Sequence, residues 1–361
     1  MANFFARTLL QWHRDHPRPL PWATSHPDPY HIWLSEIIMQ QTRIQQGTDY
    51  YLRFVLQFPT IHSLASASSD QVMRLWQGLG YYTRARNLHK AALYIVENLG
   101  GHFPDTYEGL LALPGIGPYS AAAISSFAFG RRHVVVDGNV KRLIARFSGV
   151  RNTIDDASTH QQIHQTASGF MSGVSPAVFN QAIMNFGALV CKPKSPLCSS
   201  CPLATHCFAF QNNLVESLPV RTKKKKLHER FFHFVVFHYR GKILLQRREE
   251  KDIWHGLYIA PLLETKSIRI PSRVRLHSLA IKLVGHDDIE LIESSSTVRQ
   301  LLSHQSIYGR FIHFKLLSPP ISSSEKVLWV TKKTMSHYGK PKMIAEMLNE
   351  HYKLKTVSGK K

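Results

Sequence analysis

From residue 30 to about 213 apolar side chains recur at spacings of three and four, and Pro59, Gly80, Gly101, Pro114 and Gly130 interrupt the pattern. That spacing builds one apolar stripe per helix, and each Pro or Gly closes one helix and opens the next. With a short helix read at 4–10, the pattern predicts an all-helical domain over 1–213. The stretch 214–228 holds Pro219 and the run Arg221, Lys223, Lys224, Lys225 and Lys226 with too few apolar residues to bury, so it reads as a basic linker. The periodicity then changes. Segments 231–239 and 242–246 carry aromatic and β-branched residues on either side of Arg240-Gly241, the pattern of two strands and a hairpin turn. A strand over 311–317 and a helical segment over 341–352 complete a mixed α/β domain at 229–352, followed by a basic tail at 353–361. No internal repeat is present.

A chain of 361 residues is longer than a single core usually sustains, which agrees with two domains. The formal charge of +21 and pI near 9.9 favour a polyanionic partner, nucleic acid before an anionic membrane surface. No apolar run approaches the roughly 20 residues that span a bilayer, so no membrane partner is expected. The apolar start at 4–10 is broken by Arg7 and runs into Trp12, His13 and Arg14 without a small-residue cleavage site, so it is read as a helix rather than an export signal. All four cysteines fall between 191 and 207, too local for a disulfide framework, and this predicts a reducing, cytoplasmic compartment.

Four stretches carry candidate chemistry. Cys191, Cys198, Cys201 and Cys207 stand as C-x6-C-x2-C-x5-C, and four thiolates in one short loop suit either a tetrahedral zinc or a 4Fe-4S cluster. Lys192 and Lys194 stand between the first two ligands. Leu113-Pro114-Gly115-Ile116-Gly117-Pro118-Tyr119, preceded by Asp105 and Glu108 as a capping box and followed by small residues, spells helix, tight turn, helix. Gly115 and Gly117 let backbone approach closely, and amides at the second helix start can face a phosphate; a plain glycine turn between packed helices gives the same string. Twenty residues past Gly117, Asp137-Gly138-Asn139 opens another helix, where Asp137 reads equally as an N-cap. Finally Trp33-Leu34-Ser35-Glu36-Ile37-Ile38-Met39-Gln40-Gln41-Thr42 has an apolar stripe of Tyr30, Trp33, Leu34, Ile37 and Ile38, and Glu36 falls opposite it, where a solvated charge is the ordinary reading.

Taken together, these motifs resemble the MutY-type adenine DNA glycosylases of the endonuclease III helix-hairpin-helix superfamily. The likeness is dense up to Cys207 and thin after Lys226. It implies a multidomain fold of α plus α/β class: a helical glycosylase domain with a six-helix-barrel lobe at about 21–130, a cluster lobe from 1–20 and 131–213, and a C-terminal Nudix-like domain. It decides between the metals in favour of one 4Fe-4S cluster. It makes Glu36 the acid that protonates adenine and Asp137 the carboxylate that faces the sugar, with Tyr119 and Asn139 beside them. Gln41 and Tyr81, the latter in Gly78-Leu79-Gly80-Tyr81-Tyr82, correspond to residues that wedge into the base stack, and Trp22 and Gln181 match base-pocket positions. Bifunctional relatives place a lysine where this chain has Tyr119, so base removal without strand cutting is implied.

The C-terminal resemblance rests on Leu244-Leu245-Gln246-Arg247-Arg248 and Trp254-His255-Gly256-Leu257, with no Nudix hydrolase box following. Ser303 and His304 match a lesion-sensing loop, from which Leu302 departs in place of phenylalanine; Asn185 departs where many relatives have aspartate. The implied partner is double-stranded DNA with adenine opposite 8-oxoguanine or guanine, bound by a monomer. Two other readings remain: a bifunctional glycosylase and lyase, and a cluster-bearing DNA-binding regulator without chemistry.

Overall fold

The computed structural model describes residues 1–222, 227–321 and 327–348. Lys223, Lys224, Lys225 and Lys226, the end of the closing helical segment and the tail at 353–361 lie outside the described residues. The chain divides into two compact units: Met1–Ser66 with Asn87–Lys224, and Ala67–Arg86 with Lys225–Lys361. The stretch 67–86, whose sequence pattern groups it with the helices, thus belongs to the second unit.

In chain order the helices are α1 (Ala2–Asp15), α2 (Pro29–Met39), α3 (Ile44–Gln57), α4 (Ile61–Ala65), α5 (Ser69–Leu75), α6 (Thr83–Leu99), α7 (Tyr107–Leu111), α8 (Pro118–Phe129), α9 (Gly138–Ser148), α10 (Ala157–Phe170), α11 (Pro176–Leu189) and α12 (Phe208–Gln211). Their ends follow local chemistry. Asp28 caps α2 by accepting from Tyr30 N at 2.7 Å, with Pro29 at the first helical position. Gly130 and Gly149 end α8 and α9 in left-handed conformation. At α7 the expected capping box is corrected: Thr106, not Asp105, is the N-cap and accepts from Gly109 N at 3.1 Å. The Thr106 hydroxyl stands one residue nearer the orphan amide, Gly109 has no side chain to return the bond, and Asp105 instead pairs with Arg131.

One core of the first unit joins α1, α9, α10 and α11 through Phe5, Leu9, Phe147, Phe179 and Phe186, with Phe5 stacked on Phe170 at 4.3 Å. Valines 134 to 136, all buried, feed into α9 from an irregular segment. In the second unit β1 (His228–Tyr239) and β2 (Lys242–Arg247) form the expected hairpin, with Arg240 and Gly241 both at positive φ, as a two-residue turn requires. With β3 (Tyr258–Ile259), β4 (Leu262–Thr265), β5 (Ile289–Ser294), β6 (Val298–Leu301), β7 (Gln305–Leu316) and β8 (Val327–Val330) they make an eight-stranded mixed sheet whose main path is β3-β2-β1-β7-β5. β1 and β7 run parallel from His228↔Gln305 to His238↔Lys315. Helix α13 (Arg273–Val284) covers one face through Leu276, Ala280 and Val284, packed with Val235, Phe237 and Phe314. Among the described residues no helix is long and apolar enough to cross a membrane.

Candidate active site and cysteine loop

Helix α2 is buried on nearly every side, through Ile32, Trp33, Leu34, Ser35, Ile37 and Ile38. Ile32 and Ser35, off the predicted stripe, are buried as well, so the side of α2 that carries Glu36 is not an open solvated face, and the amphipathic reading of this helix is corrected accordingly. Glu36 is half-buried, and its carboxyl is pushed up to about 7 by desolvation first and by the negative charge of Asp137 second. Tyr119, in the first turn of α8, is driven well above the ordinary tyrosine range by burial, then by Glu36 and Asp137. The structure thus brings Glu36, Tyr119 and Asp137 into one electrostatic environment. Gln40 Nε2 donates to Ser120 Oγ at 2.9 Å and ties α2 to α8 beside them.

Asp137 is the N-cap of α9, as the local pattern predicts, and this does not compete with a catalytic role. Its Oδ1 accepts from Asn139 N at 2.8 Å and Val140 N at 2.7 Å, while Oδ2 accepts from Asn139 Nδ2 at 2.8 Å. Three donors at a helix N-terminus fix the carboxylate's orientation. Asn139 is itself held, because its Oδ1 accepts from Arg142 Nη2 at 3.0 Å.

Arg142 is a site residue that the motifs did not single out. It is 4% exposed, and it also donates to Gly187 O at 2.7 Å and, through Nε, to Cys191 O at 2.7 Å. One guanidinium therefore connects the Asp137 turn, α11 and the first cysteine of the loop. The available signal was a pair of arginines, Arg142 and Arg146, four apart within the apolar run of α9. Arg146 is equally buried and donates to Leu218 O, Lys192 O and, at 3.5 Å, Cys191 Sγ.

The four cysteines are free and line one apolar cavity together with Leu143, Phe147 and Leu203. Burial, then the charge of the other three, pushes the Cys201 thiol up to about 11, against an amide hydrogen bond from Leu203. A bound cation reverses that preference and draws thiolates together. Among the described residues no three His, Cys, Asp or Glu converge closely enough for a single metal ion. The fit to a thiolate-ligated group thus rests on the shared dry cavity and the soft donor set.

The hairpin between α7 and α8 is anchored by buried Leu110, Leu113 and Ile116. Gly115, at φ 79, lies against Asn87, where an added Cβ would come within 2.6 Å of its side chain; at Gly117 nothing stands within 4 Å of such an atom. Gln41 is exposed at φ 56, and Tyr81 is 44% exposed at φ 47; both are non-glycine residues in the left-handed region. Trp22 is buried edge-on against Tyr51 at 5.1 Å, and Gln181 is half-buried on α11. In the second unit Tyr81 and Ser303 are hydrogen-bonded through their hydroxyls. Residues 302–304 form the tight connection from β6 to β7, and His304 O accepts from His228 N at 3.3 Å. Asn185, buried, receives a 3.5 Å bond from Arg18.

Residues 34–168 match the HhH-GPD superfamily of base excision DNA repair proteins, and residues 232–350 match the NUDIX domain. The chain is 31% identical to the adenine DNA glycosylase of Buchnera aphidicola subsp. Schizaphis graminum over 356 residues, 95% of this chain and 97% of that one. It is 41% identical to the human adenine DNA glycosylase over 222 residues, 59% of this chain and 41% of that one. A thermostable thymine-DNA glycosylase superposes with a TM-score of 0.54 at 26% identity, covering 58% of this chain and 97% of that structure. With near-complete coverage of a relative at that identity, and both domain types in order, the chain belongs to the MutY-type adenine DNA glycosylase family.

Proposed function

We propose that the protein hydrolyses the N-glycosidic bond of adenine opposite 8-oxoguanine or guanine in duplex DNA, as a monomer in the reducing cytoplasm. The observation that carries the reading is Glu36, a carboxyl held at about 7 beside a second carboxylate. A purine leaves poorly as an anion, so an acid still protonated near neutral pH is needed to donate to adenine N7. The Asp137 carboxylate, oriented by Asn139 and two backbone amides, faces the positive charge that develops on the sugar as the bond breaks. Tyr119 keeps its proton and has no amine to form a Schiff base, so the strand is left uncut.

The target base must leave the stack before either acid reaches it. Gln41 and Tyr81 project from strained backbone, the arrangement that suits wedges offsetting that unstacking. Trp22 and Gln181 are assigned to the base pocket, Gly115 and Gly117 to the phosphate-facing hairpin, and Ser303 and His304 to the damaged guanine. Cys191, Cys198, Cys201 and Cys207 are assigned to one 4Fe-4S cluster. When bound, it supplies a covalent cross-link that orders the loop carrying Lys192 and Lys194 near the DNA backbone.

The test is single-turnover release of free adenine from a duplex with adenine opposite 8-oxoguanine, by the parent, Glu36→Gln and Asp137→Asn, with iron and sulfide determined on the same preparations. Release by the parent alone is expected. No release by any of the three supports a DNA-binding regulator, and high-yield borohydride trapping on DNA supports the bifunctional reading.

A further inference from the structure

The segment leading into Asp137 has no regular secondary structure over residues 131–137, so its backbone groups need partners from elsewhere. Arg131 N and His133 N find backbone carbonyls, and one side chain supplies partners for two more of these groups. Asn180, fully buried on α11, accepts from Val135 N at 2.9 Å and donates to His133 O at 2.8 Å and to Ser126 Oγ at 2.7 Å. Seven residues on, along the same face of α11, Gly187 meets the other side of the turn. A Cβ there would lie 2.9 Å from Asn139 O and 3.0 Å from its carbonyl carbon, so the Asn139 backbone rests directly on the helix.

Apolar burial of Val134, Val135 and Val136 already holds this segment down, but hydrophobic contact has no direction and tolerates sliding. The amide of Asn180 is directional, and with Gly187 it brackets Asp137 from both sides. We propose that α11 is the template that sets where Asp137 stands relative to Glu36, which makes Asn180 a positioning residue for cleavage of the glycosidic bond. The inference rests on the assignment of Asp137 to the sugar.

Displacement of Asp137 has its own signature. The charged and titratable groups felt at the Glu36 site are Asp137 from the α9 turn and Tyr119 from α8, and the Asp137 charge is one of the two causes that keep Glu36 protonated. If Asp137 recedes, Glu36 loses its proton at lower pH and the alkaline limb of the rate profile moves to the acid side. Global destabilisation lowers the active fraction and leaves that limb in place.

Asn180→Ala and Gly187→Ala are compared with the parent and with Asp137→Asn in single-turnover adenine release across pH 5.5 to 9, alongside DNA affinity and thermal unfolding. Gly187→Ala raises helix propensity while pushing the turn, and so separates position from stability. Each alanine variant is expected to slow release by about 10- to 100-fold, the scale of a misplacement near 1 Å, with DNA affinity kept within about threefold and the alkaline limb shifted to lower pH. Rates at the parent level, or slowed rates with an unmoved limb, overturn the inference. If Asn180→Ala does not fold, the limb of Gly187→Ala decides in the same way. Parent-level release by Asp137→Asn removes the underlying assignment, whereas an inactive Asp137→Asn beside unaltered alanine variants removes this inference alone.

Discussion

Glu36→Gln tests the electrostatics of the site without any DNA. In the unfolded chain the carboxyl titrates at its ordinary 4.5, and in the fold it is raised to about 7. An acid whose folded value lies above its unfolded one binds more protons in the folded state between the two. Its contribution is therefore neutral at and below 4.5, becomes a growing penalty as pH rises through the window, and is a full penalty above about 7. At ~1.4 kcal/mol per pH unit, the gap between 4.5 and about 7 sets a ceiling of ~3 kcal/mol, and solvent reaching part of the carboxyl lowers this to about 1–2 kcal/mol. Glutamine has nearly the same shape, cannot ionise and escapes the penalty. Denaturant unfolding of parent and Glu36→Gln at pH 5 and pH 8 should show the variant more stable by about 1–2 kcal/mol at pH 8 and close to the parent at pH 5. The same substitution should abolish adenine release, and the parent's rate should fall about tenfold per pH unit above 7. An equal stability difference at both pH values refutes the reasoning, whatever happens to activity.

Three further substitutions separate fold from function. Gly115→Ala forces positive φ on a side chain that also meets Asn87, and should cost about 2 kcal/mol of stability, read by urea unfolding. Gly117→Ala enters open space, so it should leave unfolding nearly unchanged and weaken duplex binding, read by a salt-dependent binding titration. Arg142→Met leaves the carbonyls of Gly187 and Cys191 without their donor and frees Asn139, and should cost about 2–4 kcal/mol in thermal or urea unfolding. Its adenine release should fall by more than its duplex affinity, measured on the folded fraction.

What was legible in the sequence is what chain neighbours enforce. The hairpin of β1 and β2 follows from Arg240-Gly241, and the cap of α9 follows from an aspartate two and three residues before the amides it binds. The cysteines are close in sequence and therefore close in space. What was illegible depends on side chains that meet across long separations. A stripe count on α2 places Glu36 opposite the apolar side, but that side is not an open face either, and only packing against α8 and the α9 turn reveals that its carboxyl is desolvated. Arg142 and Asn180 are polar residues in apolar runs, which a pattern scores as interruptions. Each bonds backbone outside regular pairing as well as one side chain: the 133–135 segment and Ser126 for Asn180, and the end of α11, the start of the cysteine loop and Asn139 for Arg142. A carboxylate pair can thus be named from short motifs, while the turn that carries Asp137 is held by the Asn180 amide and the Arg142 guanidinium, whose backbone partners lie more than 40 residues away along the chain.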